Sequence, residues 1–187
     1  MATHWPQRTE ERVKQILDPN QLRDGVCKLA EQVKTIYEGR PLTIVAILTG
    51  SLVLLADLIR ELELPLRVAL IQASRVRTPD EPGQELVLSD GLLPSLKGRD
   101  VLVIDDIFDT GHTLVEVFAQ LLQHEPASIR SAVLMRKVGR SEVPIAPDIV
   151  IFEIPDEFVV GYGLDYEDRF RNLPYVAALE PEDLTPE

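Results

Sequence analysis

Cysteine, aromatic residues and positive charge are scarce in this sequence. Its 187 residues include one cysteine, and aromatic residues make up 5% of the chain. Because the single Cys27 cannot form an internal disulfide, we interpret it as an ordinary structural thiol in a reducing compartment. The 19 basic residues face 31 acidic ones, which gives a formal net charge of −12. That charge opposes an extended phosphate-binding surface, so we expect no nucleic-acid partner, although a small anion could still bind in a local pocket.

Long apolar runs are missing as well. The N-terminus, MATHWPQRTEERVKQ, is charged and lacks the apolar stretch of a secretion signal. The segment LTIVAILTGSLVLLA (42–56) is shorter than the roughly 20 residues that span a bilayer, and Thr49-Gly50-Ser51 interrupts it. We therefore expect a cytoplasmic protein that makes no membrane contact.

What the sequence does contain is an alternation of apolar strands and amphipathic helices. Asp18 followed by Pro19 is typical of a helix start, and the apolar spacing predicts a helix over 19–38. Apolar runs predict strands at 42–48, 66–71, 101–104, 131–135 and 148–154, and two more helices are predicted at 51–62 and 113–124. Runs without polar alternation favour a parallel sheet covered on both faces. The pattern predicts one α/β domain over 1–187, with an open, mostly parallel twisted sheet flanked by helices.

Two segments depart from the alternation. Residues 75–99 contain the turn-forming run TPDEPG and a short LVL strand signal. We predict a long mobile flap there, because long loops in compact domains are usually lids or binding loops. The acidic tail, 180–187, is expected to be frayed.

Three carboxylates gather in the stretch VLVIDDIFDTGHT (101–113), namely Asp105, Asp106 and Asp109. The strand is predicted to end at Ile104, so the acids would follow it at the carboxyl edge of the sheet, where open α/β folds bind ligands. Crowded carboxylates raise one another's pKa and resist sharing a dry site. A bound Mg²⁺ ion, or a substrate with several hydroxyl groups, would stabilise the crowded carboxylates.

The turn after these acids has a different chemistry. Residues 109–113 supply successive backbone N–H groups, two threonine hydroxyls and Gly111, which permits close approach. The following helix, expected to begin near Thr113, would point its N-terminus at the same edge. These features together suit a phosphate monoester.

Other motifs share some of these letters. A Walker B strand also ends in acids, but the chain has no G-x-x-x-x-G-K-[ST] loop to hold a triphosphate. Asp109-Thr110-Gly111 matches the triplet of aspartic proteases, whose site needs two copies and does not suit an amphipathic helix directly after the motif. A purely structural role, in which the acids cap a helix and solvate a turn, would explain one acid better than three. The three histidines, His4, His112 and His124, lack the spacing of a metal site.

With these residues, 101–113 resembles the phosphoribosyl-pyrophosphate (PRPP) loop of type I phosphoribosyltransferases. Lys137 in MRKVGRS, the segment IPDEFVVGYGLDY (154–166) and RFRNLPY (169–175) are similar to the hypoxanthine/guanine phosphoribosyltransferases. The resemblance runs from about Val13 to Leu179. It implies the type I fold with a small hood, a homodimer or homotetramer, and Mg²⁺-dependent purine salvage. In that reaction PRPP and a 6-oxopurine, hypoxanthine or guanine, give IMP or GMP and pyrophosphate.

The resemblance also implies roles for individual residues. Asp109 would be the general base that accepts a proton from the purine ring. Asp105 and Asp106 would hold the ribose hydroxyls and a Mg²⁺, and Asp165 would lie near the base and a second Mg²⁺. On the purine, Phe158 would stack, the Val159 backbone would bond the edge and Lys137 would donate to the exocyclic oxygen. The phosphate and pyrophosphate groups would be bound by Gly50, Ser51, Thr110, Gly111, His112, Thr113 and Arg171, with Asp109 beside them.

Four positions depart from the family pattern. Asp105 replaces a more frequent glutamate, and Thr49 stands where lysine or arginine is common. Phe108 is bulkier than the usual aliphatic residue, and Ser74-Arg75 replaces Ser-Tyr at the base of the flap.

Two alternatives stay open at the level of sequence. A related transferase acting on another base, such as xanthine or a pyrimidine, would keep the acid-rich stretch but should lose Lys137 and the FVVGYGLDY segment. A nucleotide-sensing regulator of the same fold that binds RNA would need a basic face, which the net charge of −12 opposes.

Overall fold

The computed structural model describes residues 14–77, 84–89, 91 and 93–180. Within these ranges the chain forms three helices and nine strands, and the predicted α/β class is confirmed. In chain order they are β1 (Lys14–Leu17), α1 (Pro19–Tyr37), β2 (Leu42–Leu48), α2 (Leu52–Glu61), β3 (Leu66–Arg77), β4 (Gln84–Ser89), β5 (Asp100–Phe108), α3 (His112–Leu122), β6 (Ser128–Lys137), β7 (Ile149–Ile154), β8 (Val159–Val160) and β9 (Val176–Ala178).

The larger sheet has six strands in the order β4-β3-β2-β5-β6-β7. Strands β3, β2, β5, β6 and β7 are parallel, and β4 pairs antiparallel with β3. Successive residues of one strand face opposite sides. Ile44 and Leu102 thus pack with α1 and α2, whereas Val45 and Val103 pack with α3. The helices on both faces explain why these strands are apolar without alternation.

A second sheet joins the beginning of the described chain to its end. It has the order β1-β9-β8 with antiparallel pairs, and Lys14 lies opposite Ala178. We call it the hood, because it corresponds to the small hood that the resemblance implies. Strand β8 begins at Val159, so the hood carries one of the predicted purine-binding residues.

The acid-rich strand is longer than predicted. We expected it to end at Ile104, but β5 continues to Phe108. The reason is its neighbour: β6 extends to Lys137 and keeps pairing, with Asp105 opposite Val133 and Phe108 opposite Arg136. Asp105 and Asp106 are therefore strand residues rather than turn residues.

The predicted flap, 75–99, contains regular structure. Strand β3 continues to Arg77, and β4 pairs with it from Gln72 opposite Ser89 to Arg77 opposite Gln84. The strand predicted at 66–71 thus continues to Arg77, and backbone pairing with β3 organises residues 84–89. Residues 78–83, 90 and 92 lie outside the described residues, as do residues 181–187 of the predicted frayed tail. The mobility of both segments stays a prediction.

Two further sequence predictions concern exposure. Within the described ranges, no helix has the length and apolar character needed to cross a membrane. Cys27 is exposed on α1 rather than part of the core. The thiol thus contributes no buried packing there.

Helix α1, which brings the chain to the first strand of the large sheet, is fixed at its start by a capping box. The Asp18 Oδ1 accepts hydrogen bonds from the backbone N–H groups of Asn20, at 2.7 Å, and Gln21, at 2.9 Å. In return, the Gln21 side chain accepts from the Asp18 backbone N–H at 2.8 Å. Reciprocal bonds of this kind satisfy two N–H groups that the helix itself leaves unpaired. The helix ends at Tyr37, one residue before the predicted end.

The Asp18→Ala variant should lower the free energy of unfolding by about 1 kcal/mol, because it removes the acceptor for two helix N–H groups. Asp18→Asn keeps an acceptor oxygen and should retain most of the stability. Asp24→Ala is the matched control on the same helix, since Asp24 has 76% of its side chain exposed. The measurement is urea unfolding followed by circular dichroism. Equal losses for Asp18→Ala and Asp24→Ala would show that the cap is not the source of the effect.

Candidate functional site

Two adjoining clefts open at the carboxyl edge of the large sheet. The smaller, about 250 Å³, lies between the ends of β2 and β5 and the start of α3, and the larger, about 490 Å³, extends from this point toward the hood. Gly50, Asp106 and Asp109 line both clefts. Asp105, Thr110, Gly111 and Thr113 line the smaller one, and Lys137, Phe158, Val159, Asp165 and Arg171 line the larger one. The fold thus brings twelve predicted site residues to one edge.

Asp106 lies on the wall shared by the two clefts, and Asp105 lies beside it in the smaller cleft. Asp106 is 7% exposed, and its Oδ1 accepts from the Ile107 backbone N–H at 2.7 Å. Burial raises the pKa of Asp105 well above its usual value, and the neighbouring charge of Asp106 adds to the shift. Burial also raises the pKa of Asp106, although Arg171 is among the groups that oppose this. A cation placed here would relieve the repulsion of two buried carboxylates.

The turn between β2 and α2 lies against Asp106. It begins with a cis peptide bond between Leu48 and Thr49. A Cβ atom added at Gly50 would overlap the Asp106 carboxylate, closer than the 3.0 Å that real Cβ atoms keep. Ser51 is fully buried, and its hydroxyl donates to the Ile47 carbonyl. The Ser51 side chain is therefore a structural anchor, and only its backbone amide is left for the predicted phosphate role.

The turn formed by residues 109–113 is packed from behind. Gly111 has a φ of +92°, and a Cβ added there would overlap Val143 and the Phe108 ring. The bulky Phe108 is thus accommodated because position 111 carries no side chain. The His112 Nε2 lies 3.0 Å from the Glu142 Oε2, so the ring is paired with Glu142 and is absent from both cleft walls. Like Ser51, His112 can serve the predicted site through its amide.

The third acid of the stretch has cationic partners. Asp109 Oδ2 lies 3.1 Å from the Lys137 ammonium, and its Oδ1 lies 3.0 Å from Arg140 Nε. Burial alone would raise the pKa of Asp109, but hydrogen bonds from Arg140 and Lys137 outweigh it and hold this pKa below its usual value. Asp156 also contacts both cations, at 3.6 Å from Lys137 and 3.5 Å from Arg140. We call these four residues the charge ring.

Arg140 and Asp156 were missed by the sequence reasoning. Arg140 is the third residue after Lys137, and Asp156 follows β7, which is the neighbour of β6. A usable signal existed, because the carboxyl ends of neighbouring parallel strands lie at the same edge. Charged residues just beyond both ends therefore belong to the site.

An exposed aromatic ring closes the larger cleft on the hood side. Phe158 is 42% exposed, and its ring meets Tyr166 edge to face with centroids 5.5 Å apart. The next residue, Val159, is buried and pairs with Ala178 in the hood. Antiparallel pairing thus fixes the backbone beside a ring that is free to stack on a flat ligand.

Arg171 and Asp165, which also line this cleft, form an ion pair. Arg171 lies 2.8 Å from Asp165 Oδ1 and also donates to the Gly163 carbonyl at 2.8 Å. The second oxygen of Asp165 accepts from the Asp168 backbone N–H at 2.9 Å. In the part of the chain that the structure describes, no three His, Cys, Asp or Glu residues are placed to hold a metal ion. The predicted metal ligands Asp105, Asp106 and Asp165 therefore do not form a cage made by the protein alone.

Comparison with known proteins agrees with this geometry. Residues 12–167 match the family model described as phosphoribosyl transferase domain. The chain is 34% identical to a hypoxanthine phosphoribosyltransferase of Haemophilus influenzae, with 93% of this chain and 99% of the relative covered. It is 39% identical to a hypoxanthine-guanine phosphoribosyltransferase of Lactococcus lactis, with 83% and 84% covered.

A solved structure shares the fold. The crystal structure of a hypoxanthine phosphoribosyltransferase from Staphylococcus aureus superposes with a TM-score of 0.88 at 32% identity. The superposition covers 98% of this chain and all of that one. The chain therefore belongs to the hypoxanthine/guanine phosphoribosyltransferases, a family of pentosyltransferase enzymes with the type I phosphoribosyltransferase fold.

Proposed function

We propose that this chain transfers the 5-phosphoribosyl group of PRPP to hypoxanthine or guanine, which yields IMP or GMP and pyrophosphate. The observation that carries the proposal is the position of Asp109, which lies on the wall shared by both clefts and 3.1 Å from Lys137. A carboxylate there can meet a base bound in the larger cleft and a sugar phosphate bound in the smaller one. The relatives, which are named as hypoxanthine or hypoxanthine-guanine phosphoribosyltransferases, support the same reaction.

The two clefts divide the substrates by their chemistry. The smaller cleft offers the N-terminus of α3 and the amides of residues 110–113, which suit the 5′-phosphate. Asp105 and Asp106 offer acceptors for the ribose hydroxyls. In the larger cleft, Phe158 would stack on the purine and Lys137 would donate to its exocyclic oxygen. Arg171 would bind pyrophosphate, because a guanidinium matches phosphate oxygens in bidentate fashion.

The chemical step needs a base that is ionised before the purine arrives. A ring nitrogen attacks the anomeric carbon, the bond from that carbon to pyrophosphate breaks, and the leaving group takes the electron pair. The proton from the purine ring passes to Asp109. Because its pKa is held below the usual value, Asp109 is anionic at neutral pH. A positioned carboxylate contributes roughly 10²–10⁴-fold as a general base.

The acidic wall fits a divalent cation. Two neighbouring carboxylates with raised pKa values favour such an ion, which would share its coordination with substrate phosphates and water. Asp105 and Asp106 would hold Mg²⁺ directly or through water. When bound, Mg²⁺ neutralises charge on the departing pyrophosphate. The Asp165 carboxylate would be available to a second Mg²⁺ only if Arg171 released it and bound pyrophosphate instead.

The cellular context belongs to the same proposal. A cytoplasmic homodimer or homotetramer that takes part in purine salvage follows from the family resemblance. The substrates PRPP and a 6-oxopurine are small molecules, and the net charge of −12 opposes a nucleic-acid partner. The proposed location, oligomeric state and absence of a nucleic-acid partner do not depend on the cleft geometry.

Mg²⁺ removal provides the first test of this mechanism. Excess EDTA should abolish turnover, because the pyrophosphate would leave without its neutralising cation, and added Mg²⁺ should restore it. Circular dichroism should show the same fold before and after chelation. Full activity in metal-free buffer would exclude the proposed role of Asp105 and Asp106.

The Asp109→Asn variant tests the general base. It preserves the shape of the side chain but cannot accept the purine proton, so kcat should fall by roughly 10²-fold or more. The KM for PRPP should change little. Asp24→Asn, on the exposed face of α1, is the control for the chemical change itself. If Asp109→Asn keeps the wild-type kcat between pH 6 and 9, another group accepts the proton.

Base preference tests the proposed function as a whole. The Lys137 ammonium has donors and no acceptor, so it suits a carbonyl oxygen and opposes the amino group of adenine. Sites built around such a bond can reject the wrong partner by about 10⁴–10⁵-fold. We expect adenine to be used at least about 10³-fold less efficiently than the better oxopurine.

The Lys137→Ala variant should have a lower kcat/KM for the better oxopurine. The ratio of this kcat/KM to that for adenine should therefore be smaller than in the wild type. The measurement is kcat/KM for adenine, hypoxanthine, guanine and xanthine on both proteins. If the wild-type kcat/KM for adenine lay within tenfold of that for hypoxanthine, the proposed selection of the base by Lys137 would be contradicted.

A further inference from the structure

Within the charge ring, two carboxylates compete with the proposed base for hydrogen bonds from Lys137. The Lys137 side chain is 11% exposed, and its ammonium faces two carboxylates, Asp109 at 3.1 Å and Asp156 at 3.6 Å. The proposed function requires the same ammonium to donate to a neutral carbonyl oxygen of the base. Carboxylates are stronger acceptors than carbonyls, since charge-assisted hydrogen bonds are roughly twice as strong as neutral ones. Two carboxylates sharing one cation would keep Lys137 away from the base.

Arg140 contacts both of the competing carboxylates. Its Nε lies 3.0 Å from Asp109 and 3.5 Å from Asp156, so the ring contains two cations and two anions in alternation. Arg140 comes from the segment after β6 and is 41% exposed, whereas Lys137 is the last residue of that strand. It can therefore stay with the carboxylates while Lys137 turns to a ligand.

We propose that Arg140 is a positioning residue for base recognition: it balances the second negative charge of the ring and so releases Lys137 to the exocyclic oxygen of the purine. The inference rests on the proposed function, because it assumes an oxopurine in the larger cleft. Arg140 itself touches neither substrate in this role. It acts on the base through Lys137.

A merely structural role for Arg140 predicts something different. A half-exposed ion pair contributes little to stability, and its loss would not act selectively on one substrate. A balancing role has two distinct consequences. Loss of Arg140 should weaken binding of the base and spare PRPP, and removal of the surplus carboxylate should cure the defect.

The test therefore pairs Arg140→Gln with the double variant Arg140→Gln/Asp156→Asn. In the single variant, one ammonium faces two carboxylates, and the KM for hypoxanthine should rise by about tenfold or more, as expected for one lost charge-assisted bond. The KM for PRPP should stay within about twofold. The double variant restores the balance of one cation to one carboxylate, because Lys137 then faces only Asp109. The KM for hypoxanthine should return to within about threefold of wild type.

The matched control is Arg136→Gln. Arg136 pairs with Glu153 across β6 and β7 and lies outside the ring, so its loss should leave both KM values unchanged. Binding measured by calorimetry gives a second readout that needs no turnover. Arg140→Gln should weaken the binding of IMP and leave unchanged the binding of ribose 5-phosphate, which lacks the base.

Three outcomes would overturn the inference. They are an unchanged KM for hypoxanthine in Arg140→Gln, an equal rise in KM for PRPP, and no recovery in the double variant. Wild-type turnover of an oxopurine is judged separately and tests the proposed function alone. A wild type that transfers to hypoxanthine, combined with any of the three outcomes, would refute the role of Arg140 and leave the proposed function standing.

Discussion

The functional edge depends on backbone segments that approach more closely than side chains permit. At Gly50, the space that a Cβ would need is taken by the Asp106 carboxylate. On the loop side, a Cβ at Gly163 would overlap the Gly50 carbonyl, and Gly163 has a φ of +102° that favours glycine. Three segments from different parts of the chain thus meet at two glycines, Gly50 and Gly163, where there is no room for a further side chain. The acidic wall, the turn after β2 and the loop that carries Arg171 share one site because of this contact.

Burial and pairing give the three acids different electrostatic properties within five residues. Asp106 is buried and Asp105 is half-buried beside it, and burial raises the pKa of both carboxyls, whereas hydrogen bonds from Arg140 and Lys137 lower the pKa of Asp109. Groups whose environments push their pKa values apart are suited to different tasks. The pair favours a cation or hydroxyl donors, and the single acid stays ionised to receive a proton. This division depends on Lys137 at the end of β6 and on Arg140 in the segment after it.

Sequence reasoning succeeded where the signal was local. The uninterrupted apolar run 42–48 predicted β2 with its observed limits, and the acids of 101–113 were expected at the carboxyl edge of the sheet, where a cleft opens. It failed where partners decide the outcome. The length of β5 depends on how far β6 extends beside it, and the pairing of Arg140 with Asp156 depends on two separate strand ends meeting. The Ser51 hydroxyl donates to the Ile47 carbonyl, which is compatible with the expected role of Ser51 through its backbone amide.

One segment contacts residues that line both clefts. Residues 137–143 carry two members of the charge ring beside the larger cleft, and the Glu142 backbone N–H donates to the Thr110 carbonyl at 3.0 Å while Val143 packs behind Gly111. A ligand that shifts the 109–113 turn must therefore also shift the surroundings of Lys137. Coupling between two sites is reciprocal by thermodynamic necessity. Whatever factor the sugar phosphate imposes on the affinity for the base, the base imposes on the affinity for the sugar phosphate.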